Sequence, residues 1–193
     1  MNTCTGQLLP RIAAERFEVT SIAGPGVPER AELWRIDAKV RPVSRPSPRL
    51  LRIVQVSDCH VPRDPETDYR GQSADRNLAS LLPAIRRWQP DWLLLTGDVS
   101  EDGSAAAYGR VSAQLSTAGA PVLALPGNHD DPAAMRRYFP LGPWDGPLQR
   151  ESRGWQLLLL DSTVPGEVSG RFAPPALERL DRCLKRELRR DEL

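Results

Sequence analysis

Three short groups of residues in this chain could do chemistry together: Asp58-Cys59-His60, Gly97-Asp98 and Gly127-Asn128-His129-Asp130. Asp58 and His60 are two positions apart, so an extended segment would point both side chains one way and Cys59 the other. A carboxylate oxygen and an imidazole nitrogen could then reach one metal ion. Asp98 has two oxygens and could bridge that ion to a second, to which Asn128 could offer its amide oxygen. Hard oxygen donors mixed with imidazole suit zinc, iron or manganese. Two ions about 3.5–4 Å apart can hold a bridging hydroxide and clamp a phosphate for in-line attack.

Each group has an ordinary explanation when taken alone. An aspartate after a strand often caps a turn, a single histidine is usually an ordinary surface or core residue, and Gly-Asn is a common turn dipeptide. The combination argues for a site. His60 and His129 are the only histidines in the chain, and both fall inside these groups. Ser57 and Cys59 beside His60 suggest no nucleophile, because no partner base or oxyanion motif accompanies them.

The elements that must position these residues can be read from the apolar pattern. Residues 50–56 form a β-branched-rich run that ends at Ser57-Asp58. A helix follows, with Leu78, Leu81, Leu82, Ile85 and Trp88 on one face, and Pro90 stops it. Trp92 to Leu95 is a wholly apolar run, as expected of a strand covered on both faces. Ser104 can cap a helix through Leu115 that ends near Gly119. Val122 to Leu125 and Trp155 to Leu160 read as further strands. Pro174-Pro175 opens a last helix with Leu177, Leu180, Leu184 and Leu188 on one face. Strands alternating with helices predict an α/β fold of mainly parallel βαβ units. In such sheets ligands bind beyond the carboxyl ends of the strands, and all three groups lie there.

Residues 1–49 read differently. Gly24-Pro25-Gly26 and the proline-rich stretch from Arg41 to Arg49 are turn and linker chemistry. Phe17–Ile22 and Glu32–Val40 could pair as a hairpin across that turn. This segment is expected to be an N-terminal extension, with the domain proper at residues 50–193.

Composition narrows the class. The chain has 193 residues and a formal net charge of +1, so bulk charge gives no reason to expect a nucleic-acid or membrane-surface partner. The arginines of the last helix (Arg179, Arg182, Arg186, Arg189 and Arg190) alternate with acids and read as a solvated face. The cysteines Cys4, Cys59 and Cys183 are far apart, which argues against a disulfide framework and against a thiolate zinc site. A reducing, cytoplasmic setting is expected. No apolar run approaches the roughly 18–20 residues that a membrane span needs.

The three groups resemble the metal-binding motifs of the calcineurin-like metallophosphoesterases, over about residues 50 to 190. The strings from Val54 to His60, Asp98 to Gly103, Leu125 to Asp131 and Leu160 to Glu167, the last running into Gly170-Arg171-Phe172, resemble the bacterial class III cyclic nucleotide phosphodiesterases. The resemblance implies that Asp58, His60 and Asp98 hold the first of two divalent ions (Mn, Fe or Zn) and that Asp98 and Asn128 hold the second. It implies that His129 contacts the phosphate and helps protonate the leaving oxygen, with Glu101 orienting that histidine. The implied substrate is a 3',5'-cyclic nucleotide or a similar small phosphodiester. Glycerophosphodiesters and phosphomonoesters are alternatives within the superfamily. Oligomeric state is left open.

The chain also departs from the pattern. Family members carry a further strand ending in a histidine, then a Gly-His-x-His segment, and these complete both metal shells. No third histidine exists here. The chain therefore reads as a C-terminally truncated member, with an open sheet edge. It is expected to bind metal poorly and turn over little or no phosphodiester, which keeps a non-catalytic fragment or pseudo-enzyme as a rival reading.

Overall fold

The computed structural model describes residues 50–190, with side chains to residue 185. The hairpin expected in residues 1–49 lies outside the described residues. The first strand, β1 (Ile53–Val56), leads into helix α1 (Ala74–Trp88), strand β2 (Trp92–Thr96), helix α2 (Ala105–Ser116) and strand β3 (Val122–Leu125). A one-turn helix α3 (Pro132–Met135), strands β4 (Leu148–Ser152) and β5 (Trp155–Leu159), and helix α4 (Pro174–Arg190) follow.

Strands β1, β2 and β3 form a parallel sheet in that order, with Val54 opposite Leu93 and Leu94 opposite Leu123. The helices start and stop where their chemistry dictates. Ser73 caps α1 by accepting from the Arg76 N–H. The helix ends when Gln89 turns left-handed at φ 50°, one residue before Pro90. Ser104 caps α2 through the Ala107 N–H.

The core lies between these helices and the sheet. Ile85 of α1, Tyr108, Val111 and Leu115 of α2, and Leu93, Leu95 and Leu123 are fully or almost fully buried. A side chain of this size gains about 1.5–3 kcal/mol from full burial, so this layer supplies much of the driving force. Leu94, on the other face of β2, is only partly buried. The expectation that β2 is covered on both faces therefore holds for one face alone. Trp88, expected on the apolar face of α1, is exposed.

The fifth strand departs from the parallel pattern. β5 pairs antiparallel with β4, Gln149 opposite Leu158, in a two-stranded sheet of its own. The turn between them is Arg153-Gly154, both left-handed (φ 53° and 84°), as a tight hairpin requires. Neither β4 nor α3 was legible in the apolar pattern. Along α4, Leu177 and Leu184 remain nearly half exposed.

Candidate metal centre

The loops after β1, β2 and β3 are laced together past the ends of their strands. Asp58 N–H donates to the Gly97 carbonyl at 3.1 Å, His60 N–H to the Asp98 carbonyl at 2.9 Å, and Gly97 N–H to the Leu125 carbonyl at 3.0 Å. Asp58, His60 and Asp98 all lie in the left-handed region, with φ of 54°, 45° and 48°. This corrects the expectation of an extended Asp58–His60 segment. The two side chains converge because two left-handed residues turn the loop, not because of strand alternation. Such strained conformations in non-glycine residues persist where the surroundings over-determine them, and they cluster at functional sites.

The close approach of the loops needs glycine at one point. A Cβ on Gly127 would sit 2.1 Å from Asp98 Oδ1 and 2.4 Å from the Asp98 nitrogen. From the other side, Arg110 of α2 pairs with Asp75 of α1 at 3.1 Å and donates to the carbonyls of Arg63, at 2.9 Å, and Pro62. The segment after His60 is thus pinned to both helices.

The donor atoms of Asp58, His60 and Asp98 lie within 4.8 Å of one another. His60 Nε2 is 3.8 Å from Asp98 Oδ2 and 4.0 Å from Asp58 Oδ1. Two ligand atoms each about 2.0–2.2 Å from a zinc-sized ion can be up to about 4.4 Å apart, and both distances from His60 Nε2 lie within that reach. The other face of the imidazole is fixed. His60 Nδ1 is 2.7 Å from Glu101 Oε2, and a proton on Nδ1 leaves the Nε2 lone pair directed at the two aspartates. Tyr69 stacks on the ring, with centroids 4.5 Å apart and planes 8° from parallel.

Asp98 is shared between two loops. Oδ2 faces His60, while Oδ1 accepts the His129 N–H at 3.1 Å. Asn128 is exposed on the same loop, next to His129. His129 Nδ1 donates to the Glu101 carbonyl at 3.0 Å and lies 3.5 Å from the Glu101 carboxylate. The bond to the Glu101 carbonyl, helped by the negative charges of Glu101, Asp98 and Asp130, raises the His129 pKa above its ordinary value. The two imidazoles meet edge to face, 4.9 Å apart.

Glu101 was expected to orient His129. Its main-chain oxygen does bond that ring, but its carboxylate lies closer to His60. Cys59 is a free thiol whose pKa is pushed up to about 12, chiefly by burial, so it is no nucleophile at neutral pH. Two contributors were given no role by the sequence reading. Tyr69 could have been noticed only through the Arg70-Gly71 turn beside it, where both residues are left-handed. Asp130 was visible as the last residue of its motif, but nothing in the sequence showed what it touches.

The model of the family described as calcineurin-like phosphoesterase matches residues 51–190. The chain belongs to the calcineurin-like phosphoesterase family. Among curated members of known sequence, it is similar to a protein of Synechococcus described as a "probable cyclic nucleotide phosphodiesterase", with 35% identity over 134 residues, or 69% of this chain and 52% of the relative. It is 36% identical over 139 residues to the 3',5'-cyclic adenosine monophosphate phosphodiesterase CpdA of Escherichia coli, covering 69% of this chain and 50% of that protein. A cAMP/cGMP dual specificity phosphodiesterase of Mycobacterium tuberculosis is 30% identical over 141 residues, covering 68% of this chain and 44% of that protein. The chain spans about half the length of these curated relatives. Among the described residues, no helix is long and apolar enough to cross a membrane.

Proposed function

We propose that this chain carries the first metal-binding half of a phosphodiesterase centre acting on a 3',5'-cyclic nucleotide or a similar small phosphodiester. One observation carries the reading: Asp58, His60 and Asp98 converge at the carboxyl ends of parallel strands, with Glu101 holding the far nitrogen of His60. Asp58, His60 and Asp98 would hold one divalent ion, and Asp98 and Asn128 would contribute to a second (Mn, Fe or Zn). Ions held there supply positive charge to the phosphate and activate water for attack.

The chain's own residues divide the remaining work. Glu101 keeps the His60 ring in the tautomer that leaves Nε2 free. His129, partly exposed at the rim with its pKa raised by the Glu101 carbonyl, is suited to give a proton to the departing oxygen. The relatives' names support the cyclic nucleotide among possible substrates, and the free thiols Cys59 and Cys183 fit a cytoplasmic setting.

A specific observation supports the weaker, non-catalytic reading as well. The chain has two histidines in all, and this reading assigns only His60 to metal, keeping His129 for the proton. We therefore expect weak metal binding and little or no turnover by the chain alone. The test is hydrolysis of bis-(p-nitrophenyl) phosphate and cyclic AMP with added Mn²⁺, alongside Mn²⁺ binding by calorimetry. Weak binding that Asp98→Ala abolishes supports the centre. Binding that survives Asp98→Ala refutes it. Brisk turnover abolished by Asp98→Ala would show that these ligands suffice and remove the non-catalytic reading.

A further inference from the structure

Tyr108 lies in α2, away from the metal ligands, and is fully buried. A phenylalanine would fill the same volume, so the buried hydroxyl needs its own explanation, since an unpaired hydroxyl there would be costly. It is paired twice. Tyr108 Oη donates to Asp130 Oδ1 at 3.0 Å and accepts the Asp131 N–H at 2.8 Å.

Asp130 passes this restraint on to two loops. Its Oδ1 also accepts the Ser100 N–H at 3.0 Å, and its Oδ2 accepts the Val99 N–H at 3.2 Å and the Gly127 N–H at 2.9 Å. Ser100 and Val99 are fully buried, so their N–H groups need an acceptor inside the protein. One carboxylate therefore joins the loop bearing Asp98 to the loop bearing Asn128 and His129. Hydrogen bonds to an ionised group are stronger than neutral ones, but a carboxylate must still be aimed. Within α2, the Tyr108 hydroxyl does the aiming.

We infer that Tyr108 is a positioning residue for the centre: through Asp130 and the Asp131 N–H, its hydroxyl sets the register of the Gly127–Asp131 loop against the Asp98–Ser100 loop. Part of this rests on the metal-site reading above and part does not. Tyr108 thereby controls how well Asp98 and Asn128 can serve two metal ions, while its own hydroxyl bonds Asp130 and the Asp131 N–H.

The experiment uses the full chain and the Tyr108→Phe variant, which deletes one oxygen. Amide hydrogen exchange is measured at Gly127, Asp131, Val99 and Ser100, with Leu93 and Leu123 as reporters of global stability, and Mn²⁺ binding is measured by calorimetry. The expected result is exchange at least about tenfold faster at Asp131 and Gly127, with Leu93 and Leu123 unchanged, and Mn²⁺ affinity lowered about tenfold, as for other outer partners of metal ligands. Exchange unchanged in the loop, or accelerated equally at all six amides, overturns the inference. If Tyr108→Phe does not fold, Asp130→Asn tests the other end of the same bond, with the same expected and overturning results. Asp98→Asn separates the two readings. Mn²⁺ binding that survives Asp98→Asn refutes the metal site and leaves the exchange result to decide the clamp.

Discussion

The Glu101 carboxylate sits 2.7 Å from His60 Nδ1, and on the other side of that ring Nε2 faces Asp98 Oδ2 at 3.8 Å. A histidine held this way has one tautomer and one orientation, as the proposed ligand role requires. Partners of this kind typically contribute about 10–100-fold to metal affinity. Glu101→Gln is therefore expected to weaken Mn²⁺ binding by that amount while the fold persists, because the glutamine can rotate to present an N–H to the ring. Calorimetric Mn²⁺ titration with a circular dichroism control checks this. Affinity within twofold of the parent would show that His60 does not depend on Glu101.

Gly127 offers a purely steric test. The 2.1 Å approach of an added Cβ to Asp98 Oδ1 leaves no room for a methyl group, and the clash is with the side chain and backbone of a proposed ligand. Gly127→Ala is expected to cost about 1–3 kcal/mol in urea unfolding, as overpacking does. Because Asp98 must move, Mn²⁺ binding should fall by more than this loss of stability explains. Gly119→Ala gives a contrast: Gly119, unlike Gly127, is left-handed, and a Cβ there meets nothing within 4 Å, so that variant reports backbone strain without a clash.

His129 gives a pH signature. Its bond to the Glu101 carbonyl, with the surrounding acids, raises its pKa above the ordinary histidine value. A group whose pKa is raised on folding binds its proton more tightly in the folded state. Its contribution to stability is fully present below about pH 6.5, the unfolded value, and is lost as pH rises through the folded value. NMR titration of the metal-free chain should place the His129 midpoint above that of a model peptide, and Glu101→Ala should lower it. A midpoint at or below the peptide value would contradict the geometry.

The residues of the centre were legible because each follows a strand whose apolar run marks its end. Asp58 and His60 come after Val56, Asp98 after Thr96, and Asn128 and His129 after Leu125. What brings them together was less legible. The left-handed turns at Asp58, His60 and Asp98 have no sequence signature, since such strain is imposed by the loops that lace past the strand ends. The Glu101–His60 bond joins residues far apart in sequence, and spacing cannot report it. Strand β4 was missed for another reason. Leu148-Gln149-Arg150-Glu151-Ser152 is mostly polar and gains its conformation by pairing with β5, so tertiary pairing overrides a weak local preference.

Asp91 ties that hairpin to the parallel sheet. Its Oδ2 accepts the Arg52 N–H at 2.9 Å, just before β1, and its Oδ1 accepts from Arg153 in the β4–β5 turn at 2.6 Å. The Arg52 N–H, and then Arg153, lower the Asp91 pKa. The sign follows from the lowered value. The stabilisation is present above the unfolded pKa of about 3.9 and is lost as pH falls through the folded one. The carboxylate is close to solvent, so screening limits its contribution to about 1 kcal/mol or less. Asp91→Asn should therefore lower the urea midpoint slightly at pH 7 and have less effect as the pH falls below 3.9. Arg153→Ala should reproduce part of the loss at pH 7. A difference between parent and Asp91→Asn that grew on acidification would mean that the aspartate is not held as an anion by these two donors.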